Sequence, residues 1–184
     1  MKILVLTFLA LILLFIQSSV LTPFGAWFPA RPDLLLLLVI AWGVSFGYGQ
    51  GVVALALCGF LMDVASALPV GGHVLALVPV LLFLLMFERQ LMASRIVSSL
   101  LLVFSATFLY YLSLAIVLQF SGRHVDWGGS LVQTVVPGAL INVVVSPLFF
   151  WVTAALASWF GVSRGGSSAI SRPVTRAAIR VPIY

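Results

Sequence analysis

Polar positions are so sparse along this chain that they act as punctuation between long apolar runs. The runs cover Ile3–Leu21, Leu34–Tyr48, Val52–Leu68, His73–Phe87, Ile96–Phe120 and much of Leu131–Phe160. About 20 apolar residues suffice for a helix to cross a bilayer, so the pattern predicts about six transmembrane helices. The breaks carry turn residues or charge. Pro23, Gly25, Pro29 and Arg31-Pro32-Asp33 separate the first two runs, with Trp27 and Phe28 placed as interfacial aromatics. Gly49-Gln50-Gly51 predicts a tight turn, and Pro69-Val70-Gly71-Gly72 another. Glu88, Arg89 and Arg95 mark a water-facing loop, and Ser121–Ser130 a second one with Arg123, His124 and Asp126. The last span is expected to start after Pro137, because Pro suits the first turn of a helix. The second run is short for a span. Runs two and three forming one re-entrant hairpin is the alternative.

Composition turns this pattern into a statement about solvent. Of the 184 residues, 63% are hydrophobic and only 7% charged. Soluble domains carry about 25% charged residues. A small globule cannot hide this much apolar surface from water, so lipid must cover it. The expected fold is an all-α polytopic integral membrane bundle over residues 1–160. A basic Ser/Gly/Arg-rich tail, 161–184, is expected to be disordered. The N-terminal run is longer than the apolar core of a signal peptide and no Ala-x-Ala site follows it, so it is read as an uncleaved first span.

The net charge of +5 would suggest nucleic acid in a soluble protein. Here its distribution points to topology instead. With six spans, Lys2, Arg89, Arg95, Arg164, Arg172, Arg176 and Arg180 share one side and only Arg31 and Arg123 the other. The basic side is expected to be cytoplasmic, with both termini inside. An odd number of spans breaks this sorting. The tail arginines also suit contact with anionic lipid.

Few residues could carry chemistry. Asp63 lies inside an apolar run, where an acid at a helix centre costs about 2.5–3.5 kcal/mol on insertion scales. With the turn at Pro69, it is expected about 9 Å from the helix end, hydrogen-bonded to backbone or hydroxyl groups such as Ser66. His73 opens the next run, close enough across a tight hairpin for the two side chains to meet. A metal site needs more ligands than this pair, so no metal and no cofactor are expected. Cys58 is read as a packing residue. Gly43, Gly47 and Gly51 recur every four positions and form a small-residue packing stripe if helical, although Gly51 also fits the turn. Gly138, Asn142 and Ser146 repeat that spacing on a small, polar face expected to point at other helices. Pro79 and Pro147 are read as architectural kinks. No Gly-x-Ser-x-Gly, His-Glu-x-x-His or P-loop occurs, and no loop is long enough for a soluble domain, so no enzyme is expected.

Two stretches carry a family resemblance. Arg31-Pro32-Asp33-Leu34-Leu35-Leu36-Leu37 resembles the start of the second span of the MreD family, the rod shape-determining membrane proteins. GFLMDVASALPVGGHVLAL, from Gly59 to Leu77, is similar to that family's best-known region, with Asp63, Ser66, Pro69 and Gly71 at the matching positions. The tail after Gly161 lies outside the resemblance. The resemblance implies a non-catalytic role in the bacterial cytoplasmic membrane. MreC is the implied partner, within an assembly that links MreB filaments to RodA and its transpeptidase and guides lateral peptidoglycan synthesis. It also implies a fold similar to the six-helix S subunits of energy-coupling-factor vitamin transporters. In this picture Asp63, Ser66, Pro69, Gly71 and His73, with Pro32 and Asp33, are structural or partner-binding residues. A true vitamin-binding S subunit is the rival: Arg31, Asp33, Asp63, His73, Arg123 and Asp126 all fall on the outer side and could line a pocket. The first span lacks the Ala-x-x-x-Ala docking motif of such subunits.

Overall fold

Backbone N–H and C=O groups in lipid must find partners within their own segment, and the helix does this without edges. The computed structural model describes residues 1–20, 31–66, 70–87, 97–125 and 127–161. Among these it contains six principal α-helices: α1 (Lys2–Phe15), α2 (Leu34–Phe46), α3 (Tyr48–Ala65), α4 (Gly72–Phe87), α5 (Val97–Phe120) and α6 (Val136–Trp159). Two π-helical turns extend this set. Ile16–Val20 prolongs α1, while Leu131–Val135 joins the short helix Trp127–Ser130 to α6. Four helical stretches are long and apolar enough to cross a membrane by length and composition; α2 and α4 are shorter. Pro23, Gly25, Trp27, Phe28, Pro29, Pro69, the Glu88–Arg95 loop, Asp126 and the tail arginines lie outside the described residues.

The short second helix has a physical reason. At about 1.5 Å per residue, the 13 residues of α2 reach about 20 Å, well under the hydrocarbon thickness of about 30 Å. Yet every residue from Leu34 to Trp42 is buried. The other five helices all pack on α2. They form a ring in the order α1, α3, α4, α5, α6, and α2 is its axle. A helix sheathed by protein need not match the lipid. It runs the depth of the bundle, from Asp33 beside Gln17 to Phe46 beside Lys2. Runs two and three thus each traverse the depth of the bundle.

The expected boundaries shift at the α2–α3 junction. The break is Gly47 alone, and Gly49-Gln50-Gly51 forms the first turn of α3 rather than a loop. Gly47 has φ 84° and ψ 173°, a region open essentially to glycine. This corrects its assignment as a helix-packing residue: a Cβ there would meet nothing within 4 Å. Gly43 and Gly51 do face one another across the hairpin. A Cβ on Gly51 would lie 3.3 Å from Gly43 Cα, and one on Gly43 3.7 Å from Gly51 Cα. The three glycines thus join two helices and are not a stripe on one.

Two further corrections concern the last span. Helix resumes at Trp127 inside the expected loop, and α6 starts at Val136 with Pro137 in its first turn. Pro147 deprives the Val143 carbonyl of its usual donor four residues on. Ser146 Oγ donates to that carbonyl at 2.8 Å, so the interruption is repaired one residue away. Ser146 is fully buried, and its hydrogen bond stays within α6. Gly138 packs against α5, where a Cβ would meet the Tyr111 ring at 3.3 Å.

Candidate functional site at the Asp63 end

The end of the bundle that holds Asp63 gathers most of the polar side chains buried between the helices. It is built from the C-terminal end of α3 and the N-terminal end of α4. Helix α3 stops at Ala65, so Asp63 lies within its last turn, nearer the end than the Pro69 turn implied. Its carboxylate reaches across to α4. Oδ2 accepts the Gly71 N–H at 2.8 Å, and Oδ1 accepts the His73 N–H at 2.8 Å. His73 Nδ1 donates to the same Oδ1 at 2.9 Å. The ring is therefore the tautomer, or the cation, that carries a proton on Nδ1. Ser66 is not the partner of the carboxylate; its hydroxyl donates to the Asp63 carbonyl.

This arrangement answers a need of helix geometry. The first N–H groups of a helix lack intrahelical acceptors, and in an apolar medium they must be satisfied some other way. Gly71 precedes α4 with φ 96° and has no side chain to act as a cap. Asp63 supplies the cap from the neighbouring helix, and its negative charge faces the positive end of the helix dipole. Gly59 makes the approach possible. It lies four residues before Asp63 on the same face, and a Cβ there would come within 3.0 Å of Val74 Cα. The spacing Gly-x-x-x-Asp thus has a mechanical meaning: glycine admits the backbone of α4, and one turn on aspartate holds its start.

A second network ties the remaining helices at the same end. Asp33, the residue before α2, donates its N–H to Asn142 Oδ1 of α6 at 2.8 Å. Asn142 Nδ2 donates to Thr107 Oγ1 of α5 at 3.4 Å. From the π turn that prolongs α1, Gln17 Nε2 donates to Asp33 Oδ1 at 3.3 Å, while its Oε1 accepts the Leu35 N–H at 3.4 Å. Counting the π turn that prolongs α1 and the residue that precedes α2, all six helices therefore contribute a side chain to one of the two networks. Asp33, Asp63, His73, Thr107 and Asn142 are each more than nine-tenths buried. Pro32 is half-buried ahead of Asp33, and Arg31 is exposed. Tyr110 of α5 is buried beside this region, its ring 6.5 Å from that of His73 and its hydroxyl directed at Met62 Sδ at 3.9 Å.

Sequence reasoning brought Asp63, Gly71 and His73 together but missed Gln17, Thr107 and the packing role of Gly59. A glutamine near the end of an apolar run was the available signal for Gln17. Arg123 and His124 are exposed in the connection after α5. Among the described residues no group of three or more His, Cys, Asp or Glu side chains is placed to hold a metal ion.

The fold and these networks define a multi-pass helical membrane protein whose buried polar groups bind helix to helix. The sequence matches the family model of the rod shape-determining protein MreD over residues 1–158, and the chain belongs to that family. MreD proteins are part of the rod shape complex, so the class of function is the determination of cell shape. No curated protein and no solved structure gives a match.

Proposed function

We propose that this chain is a non-catalytic scaffold of the rod complex in the bacterial cytoplasmic membrane, with both termini on the cytoplasmic side. Its Asp63 end faces outward and binds MreC, and the complex so formed helps to organise lateral peptidoglycan synthesis. MreB, RodA and its transpeptidase complete the wider assembly. The family match over residues 1–158 is the observation that carries this reading. Two things support it further. Lys and Arg sort seven to two between the sides. The polar groups around Asp63 are also spent on fixing the geometry of one end of the bundle, as a docking surface requires. Residues 1–160 act as one unit, and the tail 161–184 is dispensable for insertion.

The test is complementation of a strain depleted of its own MreD, together with co-purification. Wild type is expected to restore rod shape and to retain MreC. Asp63→Leu is expected to reach the membrane in normal amount, lose MreC and leave cells round. Rod shape restored equally by the variant removes the role given to Asp63. Recovery of a small vitamin-like ligand in place of MreC replaces the scaffold by an S subunit.

A further inference from the structure

The opposite end of the bundle holds two polar atoms that the fold leaves over. Among the described residues, Trp42 Nε1 and Gln50 Oε1 are buried side-chain atoms without a hydrogen-bond partner. Trp42 is completely enclosed. One atom is a donor and the other an acceptor. Orphans of this kind are rare in folded proteins and call for a specific explanation.

Helix geometry places the two residues on one flank of the hairpin. Gly43 of α2 and Gly51 of α3 face each other across the hairpin. Trp42 and Gln50 each stand one residue earlier, about 100° around their own axes. Because the helices are antiparallel, both rotations lead to the same flank of the hairpin, at nearly the same depth. Phe46 belongs to this flank too, stacked on Trp42 at 4.2 Å. Lys2 Nζ lies 5.7 Å from the Phe46 ring centre, and Phe160 meets that ring edge-on at 6.1 Å. The flank therefore looks into the seam between α1 and α6, where, among the described residues, neighbours in the ring lack extensive packing on each other. Lys2 and Phe160 cap the seam at its water-facing end.

The chemistry of the two atoms selects an occupant. A phosphate or carboxylate oxygen could accept from the indole but could not donate to Gln50 Oε1. An ammonium group could donate but not accept. A hydroxyl does both, and it suits the glutamine amide in either orientation. We propose that one hydroxyl group binds on this flank of the α2–α3 hairpin, accepting from Trp42 Nε1 and donating to Gln50 Oε1. Its source is a water molecule or the headgroup hydroxyl of a lipid entering at the α1–α6 seam.

The test is proton-detected solid-state NMR of the full chain labelled with 15N-indole tryptophan. The protein is reconstituted in phosphatidylcholine, which has no headgroup hydroxyl, and separately in phosphatidylglycerol. Trp42→Phe assigns the signal. The Trp42 indole proton is expected downfield, with a cross-peak to a hydroxyl proton. A water cross-peak in both lipids identifies water; a glycerol hydroxyl cross-peak confined to phosphatidylglycerol identifies the lipid. No hydroxyl cross-peak in either bilayer, or a direct bond from the indole to Gln50, overturns the proposal. Gln50→Leu gives a second readout. Removing a satisfied acceptor is expected to lower the melting temperature and shift the Trp42 signal upfield. A rise in melting temperature means that the acceptor had no partner, and it sinks the idea.

Discussion

The two ends of the bundle solve the same problem by opposite means. At the Asp63 end the helices are joined by directed bonds: a carboxylate capping α4, and an asparagine and a glutamine holding the start of α2. At the Lys2 end they are joined by the absence of side chains, with Gly43 against Gly51 and a hairpin that turns on Gly47. Bonds fix both distance and direction, whereas close contact fixes distance alone. The end proposed to meet a partner is thus the one whose shape is over-determined. The Lys2 end has a directed bond as well: Ser45 Oγ of α2 donates to Thr153 Oγ1 of α6 at 2.9 Å.

This contrast can be broken by mutation, starting where the effect should be largest. Asp63→Leu strips the cap from α4 and leaves two backbone N–H groups and the His73 ring without their acceptor. Each buried donor left unsatisfied costs about 1–3 kcal/mol, a loss that unfolding of the purified protein in detergent would register. A cost below about 1 kcal/mol would show that the network is ornamental. Asn142→Leu comes next: it orphans the Asp33 N–H, a loss of about 1–3 kcal/mol in the same assay. At the other end, Gly47→Ala forces a Cβ into a backbone region reserved for glycine and is expected to cost about 1–3 kcal/mol. A larger penalty for Gly47→Ala than for Asp63→Leu inverts the ranking of the two ends. Ser146→Ala sharpens the comparison at its weakest point. It frees the Val143 carbonyl beside Pro147 and should cost about 1 kcal/mol, with the fold unchanged by circular dichroism.

The legible parts of this structure were those with a local pattern. Six apolar runs broken by turn residues fix the helices, and the short path from Asp63 to His73 makes their meeting foreseeable. The turn at Gly47 was misplaced because glycines at 47, 49 and 51 compete for it, and only backbone angles decide between them. The central place of α2 was not legible at all. Leu34–Leu38 is uniformly apolar, so no face distinguishes protein from lipid. The Asp33–Asn142 bond spans 109 positions, and nothing local to either residue announces the other. Asp63 announced itself because it was an acid out of place; Gln17 and Thr107 are ordinary enough to pass unnoticed.

The enclosure of α2 also bears on how the chain is made. The helix that completes its sheath, α6, leaves the ribosome about a hundred residues after it. During that interval the leucine-rich helix has to be as content in lipid as it later is in protein. Its composition suits both surroundings, because leucine against lipid and leucine against a neighbouring helix differ little in solvation. Asp33, just before α2, and Ser45, near its end, each take a residue of the last helix as a partner. The order of synthesis thus favours an axle that tolerates waiting, with its final bonds formed when the ring closes around it.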